Sequence, residues 1–207
     1  MAKRRKPKRR RLNDRRPDKT DKLVVSNVVC TAQLEPVYPS TEIPNMNQLS
    51  DMFYGQFDKM KFAAACRIRL NFPYCTVLVF NIGKVVVTAV RSMADAIECF
   101  HAIIVCLLRS GFFVEFSNIT VVNYASTYYL SHMLDMPRVQ VRYPQMNWWE
   151  ENFAGGSLRI PIHHGASALL FKTGRLVITG AKQLEQLQTS VAWLRDNLVF
   201  QTLIEDY

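Results

Sequence analysis

No stretch of this 207-residue chain is long and apolar enough to cross a bilayer. The most apolar run, Ala96–Leu108, has 13 residues and includes Glu98 and His101, well short of the roughly 20 that a spanning helix needs. No apolar core follows the basic N-terminus, so no secretory signal is expected. The five cysteines (Cys30, Cys66, Cys75, Cys99, Cys106) contain no CxxC pair, and an odd number does not close a full disulfide framework. They are expected to be reduced and buried. Four histidines, His101, His132, His163 and His164, show no metal-ligand spacing with cysteine or carboxylate, so neither a metal nor a cofactor is expected. The pair His163-His164 reads as loop. At 49% apolar and 21% charged residues, the chain is not disordered throughout, collagenous or a bare coiled coil.

Outside its first 22 residues the chain also lacks any charge excess. Residues 1–22 hold 12 Lys/Arg against 3 Asp/Glu, and the rest holds 14 of each, so the whole net charge of +9 lies in the tail. The tail contains KRRKPKRRR, Pro7 and Pro17, with Leu12 its one large apolar side chain after Met1. Such a segment buries too little surface to offset its ordering entropy and is expected to be disordered. A run of this kind is a nuclear import signal, an arm for polyanions or a solvated tail. The first reading places the protein in the nucleus, or in a host nucleus if the chain is viral.

What is present is a repeat. FNIGKVVVTAVR at 80–91 answers FKTGRLVITGAK at 171–182, and the same offset of 91 carries Phe62 onto Phe153. Further upstream, SNVV at 26–29 answers VNYA at 122–125, with Asn27 facing Asn123. Three landmarks in one order divide the chain into copies at 23–115 and 116–207. Each copy opens with a β-branched strand (23–34; 119–127) and continues with a short helix (47–57; 128–136). Strands follow near 62–70, 76–80 and 84–90, with counterparts at 153–160, 167–171 and 175–180, and a helix closes the copy. This grammar predicts an α+β fold with helices covering one face of an antiparallel sheet. No carboxylate or lysine of catalytic type stands at a repeated or Gly-marked position, so an enzyme on a related sheet, such as a glycosylase, is a remote alternative.

The other face is unusual. In 76–90, Val77, Val79, Val85 and Val87 form one alternating set, and Leu78, Phe80, Lys84, Val86 and Thr88 the other. Leu169, Phe171, Arg175, Val177 and Thr179 repeat the second set. A sheet apolar on both faces is buried on both or carries a binding surface. One long helix per copy covers a single face, so the second face, rimmed by Lys and Arg, is the candidate interface.

SNVVCTAQL, KFAAACRIR, LVFNIGKVVVTAVR, GFFVEF, ENFAGG and LLFKTGRLVITGAK together resemble the TATA-binding protein family over residues 23–207. The resemblance implies a pseudo-two-fold saddle whose concave sheet grips A/T-rich DNA in the minor groove, with helices on the convex side. It implies that Phe62 with Phe80, and Phe153 with Phe171, are intercalating pairs. Asn27, Asn123, Thr88 and Thr179 would be the central hydrogen-bonding groups, and Val29, Ala125, Leu78, Val86, Leu169 and Val177 the apolar floor. Lys84, Arg91, Arg175 and Lys182 occupy symmetric positions at the phosphate rim. Ala125 stands where the family has valine and Ala89 where it has glycine. Longer hairpins leave Arg67, Arg69 and Arg159 without an assigned role.

The resemblance also implies a partner of the transcription factor IIB type at the loop before Phe153, through Trp148, Trp149, Glu150 and Glu151. Helix 92–109 is apolar nearly all round and so needs cover on two sides. The Pro36–Pro44 segment, a protein partner or self-association are its three possible covers. The expected function is that of a DNA-binding, DNA-bending transcription initiation factor. The alternative is a saddle that has lost DNA binding and serves as a protein scaffold in a transcription complex.

Overall fold

A computed structural model describes residues 21–54, 65–149, 151–163 and 165–198. The basic tail up to residue 20, Phe62, Glu150 and His164 therefore lie outside the described residues.

The elements in chain order are β1 (Val24–Pro36), α1 (Met46–Phe53), β2 (Ala65–Asn71), β3 (Tyr74–Phe80), β4 (Lys84–Val90) and α2 (Met93–Arg109). The same order then recurs as β5 (Val114–Tyr129), α3 (Met136–Arg142), β6 (Gly155–Arg159), β7 (Ser167–Phe171), β8 (Arg175–Ala181) and α4 (Leu184–Leu198). The eight strands form one antiparallel sheet in the order β2-β3-β4-β1-β5-β8-β7-β6. The two halves meet at β1 and β5, where Asn27 faces Ala125 and Val29 faces Asn123. Exchanging the halves exchanges these two pairs, which puts the pseudo-two-fold beside Val28 and Tyr124.

Alternation decides which face is covered. Val77, Val79, Val85 and Val87 are at most 1% exposed, as are Leu170, Leu176 and Ile178. They lie under α2 and α4 in two hydrophobic clusters, one per half, and Val25 and Tyr124 pack against both. Phe100 of α2 meets Phe116 of β5 edge-on at 5.0 Å between ring centroids. The opposite set, including Leu78, Val86, Leu169 and Val177, is only half-buried. One face is thus packed and the other open, as the missing second layer of helices required.

Two expectations need correction. The short helix expected at 128–136 lies at Met136–Arg142. Tyr128 and Tyr129 instead extend β5, pairing with Leu176 and Arg175. The helix starts where Asp135 accepts a hydrogen bond from the Arg138 N–H, with a proline in its first turn. The cysteines are not all buried either: Cys106 is exposed on α2. Ala96, Cys99, Phe100, Ile103 and Leu107 form the buried face of that helix. Ile97, Val105 and Leu108 stay 38–43% exposed, so the Pro36–Pro44 segment does not cover them.

Candidate nucleic-acid interface

The open face is organised around two amides. Asn27 Oδ1 accepts the Ala89 N–H at 2.8 Å, and Asn123 Oδ1 accepts the Gly180 N–H at 2.7 Å. The hydroxyls of Thr88 and Thr179 lie 3.3 and 3.2 Å from the same two oxygens. A backbone N–H donates and never accepts, so each side-chain oxygen is assigned. The NH2 end of each amide carries two donors. Asn27 Nδ2 lies 3.2 Å from Thr88 Oγ1, which takes at most one of them, so a donor remains at each site for an acceptor outside. Both N–H groups are aimed by β-bulges: two residues of β4, Thr88 and Ala89, oppose only Val29 of β1, and Thr179 and Gly180 of β8 oppose only Ala125 of β5.

Around the amides the floor is hydrocarbon. Val29, Ala125, Leu78, Val86, Leu169 and Val177 are all half-buried on the same alternating set. At the β6–β7 end Phe153 and Phe171 stand edge to face, 6.0 Å between centroids and at 69°. Phe153 is 53% exposed although it is a large apolar ring. Gly155 makes the pair possible, because a Cβ there would lie 2.9 Å from both rings. The Arg175 guanidinium lies 5.9 Å from the centre of the Phe171 ring. In the first half Phe80 takes the matching place, half-buried, and Ala65 faces it as Gly155 faces Phe171.

Beneath this face, burial pushes the thiols of Cys30, Cys66, Cys75 and Cys99 up. Such thiols stay protonated and inert. Among the described residues no group of His, Cys, Asp or Glu is arranged to hold a metal ion.

Residues 22–109 and 118–199 match the family described as transcription factor TFIID, or TATA-binding protein. The chain belongs to that family. A TATA-box-binding protein of Pyrodictium occultum is 26% identical over 193 residues, covering 93% of this chain and 92% of the relative. The TATA-box-binding protein of Sulfurisphaera tokodaii is 27% identical over 177 residues, 85% and 84% of the two chains. TATA-box-binding protein-like 1 of Entamoeba histolytica is 23% identical over 167 residues, 81% and 74%. The solved structure of the Methanococcus jannaschii protein superposes with a TM-score of 0.69 at 20% identity, covering 85% of this chain and 97% of that one. The α+β fold expected from the repeat, and the saddle that the resemblance implied, are therefore the fold observed.

As a member of the TATA-binding protein family the chain carries more cations on its open face than its motifs alone assign. Arg67 and Arg69 alternate with buried Cys66 and Ile68 and pair with Leu78 and Thr76. Arg159 pairs with Ser167 beyond Ser157 and Leu169. All three arginines thus share the face of the floor with Lys84 and Arg175, while Arg91 and Lys182 are exposed just past the ends of β4 and β8. Their signal was the simple period of two. Two carboxylates, Glu35 and Glu115, share the face and oppose each other in the register, and Ser117 donates to Glu35 at 2.6 Å.

The loop before Phe153 is split. Trp148 is half-buried against the second core, with its indole N–H buried and without a partner among the described residues. Trp149 is 72% exposed, and Glu151 is exposed beside it.

Proposed function

We propose that this family member is a general transcription initiation factor that binds A/T-rich duplex DNA through the minor groove and bends it. The orientation of the two amides carries the reading. A·T pairs offer only acceptors in the minor groove, adenine N3 and thymine O2, whereas guanine adds an N2 amino donor. Two anchored amides presenting NH2 groups, set in a hydrocarbon floor, satisfy the acceptors and leave an amino group unpaired. Unpaired donors in a dry interface cost about 1–3 kcal/mol each.

The phenyl pairs supply the deformation. Apolar wedges unstack a base step and kink the duplex, the mode known for the TATA-binding proteins themselves, and the bend is repaid by added contact. Phe153 with Phe171 and Phe62 with Phe80 are the two wedges. The seven rim cations hold phosphates without reading sequence. Trp149 and Glu151, with Trp148 and Glu150, form the surface for a transcription factor IIB-like protein. The basic tail directs the protein to the nucleus and adds a second, sequence-blind contact to DNA.

Selection from random duplex DNA tests the reading. Recovery of A/T-rich elements that bend on binding, read by end-to-end energy transfer, is the expected result. Recovery of no preferred sequence would sink the proposal and favour the scaffold alternative.

A further inference from the structure

The two halves of the saddle match at the amides, and Phe80 matches Phe171, but they differ at their hairpin tips. In the second half the β6–β7 connection is tied down: His163 Nε2 bonds Thr189 Oγ1 of α4, and Ile162 is 47% exposed. In the first half the β2–β3 tip projects two aromatic rings into solvent, Phe72 at 93% and Tyr74 at 75% exposure. Alternation along β3 sets Tyr74 on the face of Thr76, Leu78 and Phe80. That row therefore has an aromatic ring at each end.

The tip also walls an open depression of about 690 Å³ that includes Asn27 and Thr88, the reading pair of this half, with Arg91 at its edge. Asn27 and both rings line this one depression, so a duplex seated on Asn27 would pass beside them. Asp95 and Glu98 close the depression on the side of α2, and there they would repel a phosphate. The walls of a minor groove, however, are deoxyribose, an uncharged and largely apolar surface. Rings beside carboxylates suit a sugar better than a phosphate.

We propose, resting on the DNA reading above, that Phe72 and Tyr74 are a further DNA contact, packing on the deoxyribose wall of the groove in the first half only. The contact breaks the pseudo-symmetry of the interface. It therefore biases the direction in which an asymmetric A/T-rich element lies on the saddle, a choice the matched amides and wedges leave almost open.

The full chain, its F72A/Y74A variant and the conservative F72L/Y74F variant are titrated on a duplex with TA steps in one half and an A-run in the other. Cys106 is the one exposed cysteine of the five. A dye there reports direction by energy transfer to an acceptor on either DNA end. The alanine variant is expected to lose about tenfold in affinity, the size appropriate to two partly buried rings. Its salt slope should match the parent's because no charge is removed. It should also lose directional bias, while the conservative variant keeps most of both. Because the rings are exposed, circular dichroism should show the fold intact. Parental affinity and bias in the alanine variant would overturn the proposal and leave the tip to a protein partner. A flattened salt slope would overturn it too, since the tip would then merely be holding Arg91. Failure of the parent to bind any duplex is a different result, which overturns the DNA reading itself.

Discussion

Ala89 and Gly180 occupy the same place across the pseudo-two-fold, and both lie in the left-handed region, at φ 67° and 90°. Each turns its N–H onto an asparagine oxygen, so the conformation serves the site. For alanine it costs about 1–2 kcal/mol. Ala89→Gly is expected to stabilise the fold by about 1 kcal/mol, after the entropy glycine loses on folding is subtracted. The reverse change in the other half is not its mirror. A Cβ at Gly180 would sit 2.0 Å from the carbonyl oxygen of Gly165, so Gly180→Ala should destabilise by more than Ala89→Gly stabilises. Urea unfolding midpoints of the two variants test the pair, and equal and opposite shifts would refute the steric account.

Aspartate separates the two ends of the asparagine amide. In Asn27→Asp and Asn123→Asp the oxygen that receives the bulge N–H is kept, and the donor end becomes a carboxylate. Stability should change little at neutral pH. Affinity for A/T-rich DNA should fall by about 1–3 kcal/mol per site, the worth of a good base contact, with further loss from repulsion of the acceptors. Fluorescence anisotropy on one A/T-rich duplex reads the loss. Variants that bind as the parent does would show that neither amide donates to DNA.

The close approach of Phe153 and Phe171 depends on a hydrogen atom at Gly155. Gly155→Ala should force Phe153 and Phe171 apart and reduce the bend, while the Phe80→Ala/Phe171→Ala double variant reduces it further. End-to-end energy transfer at saturating protein separates bending from affinity. A parental bend in the double variant would rule these rings out as wedges.

Most of the architecture was legible because the repeat doubles every signal. Gly83 and Gly174 appear at matching positions, and so do the alternating sets Leu78, Phe80, Lys84, Val86, Thr88 and Leu169, Phe171, Arg175, Val177, Thr179. Tyr128 and Tyr129 misled because aromatic residues beside a helix-like segment also suit a strand, and only their pairing with β8 decides. The bulge at Ala89 was hidden, since alanine does not announce a positive φ as glycine does. The concave placement of Arg67, Arg69 and Arg159 was written in the period-two pattern but needed the hairpin register. Orientation of the two amides was beyond sequence, because it depends on which N–H the bulges aim at them.

Charge gives the last expectation, through position rather than sum. Beyond residue 22 the chain is neutral, yet Arg67, Arg69, Lys84, Arg91, Arg159, Arg175 and Lys182 all lie on the floor or its rim. Each phosphate neutralised contributes about −0.9 to the slope of log K against log salt. Seven contacts give a slope of about −6 without the tail, against about −3.6 for the four symmetric cations alone. The 12 tail cations steepen the slope further and follow phosphates, not base edges. Deleting residues 1–22 should therefore flatten the slope and lower affinity for A/T-rich and G/C-rich duplexes alike. A/T preference and the bend should survive, because they reside in the amides and the wedges. The same deletion should abolish nuclear accumulation of a fluorescent fusion too large for passive entry. Salt titrations of the full and shortened chains on both duplexes decide between the roles. Equal slopes would confine the tail to import, and loss of A/T preference on deletion would mean that the saddle does not read sequence by itself.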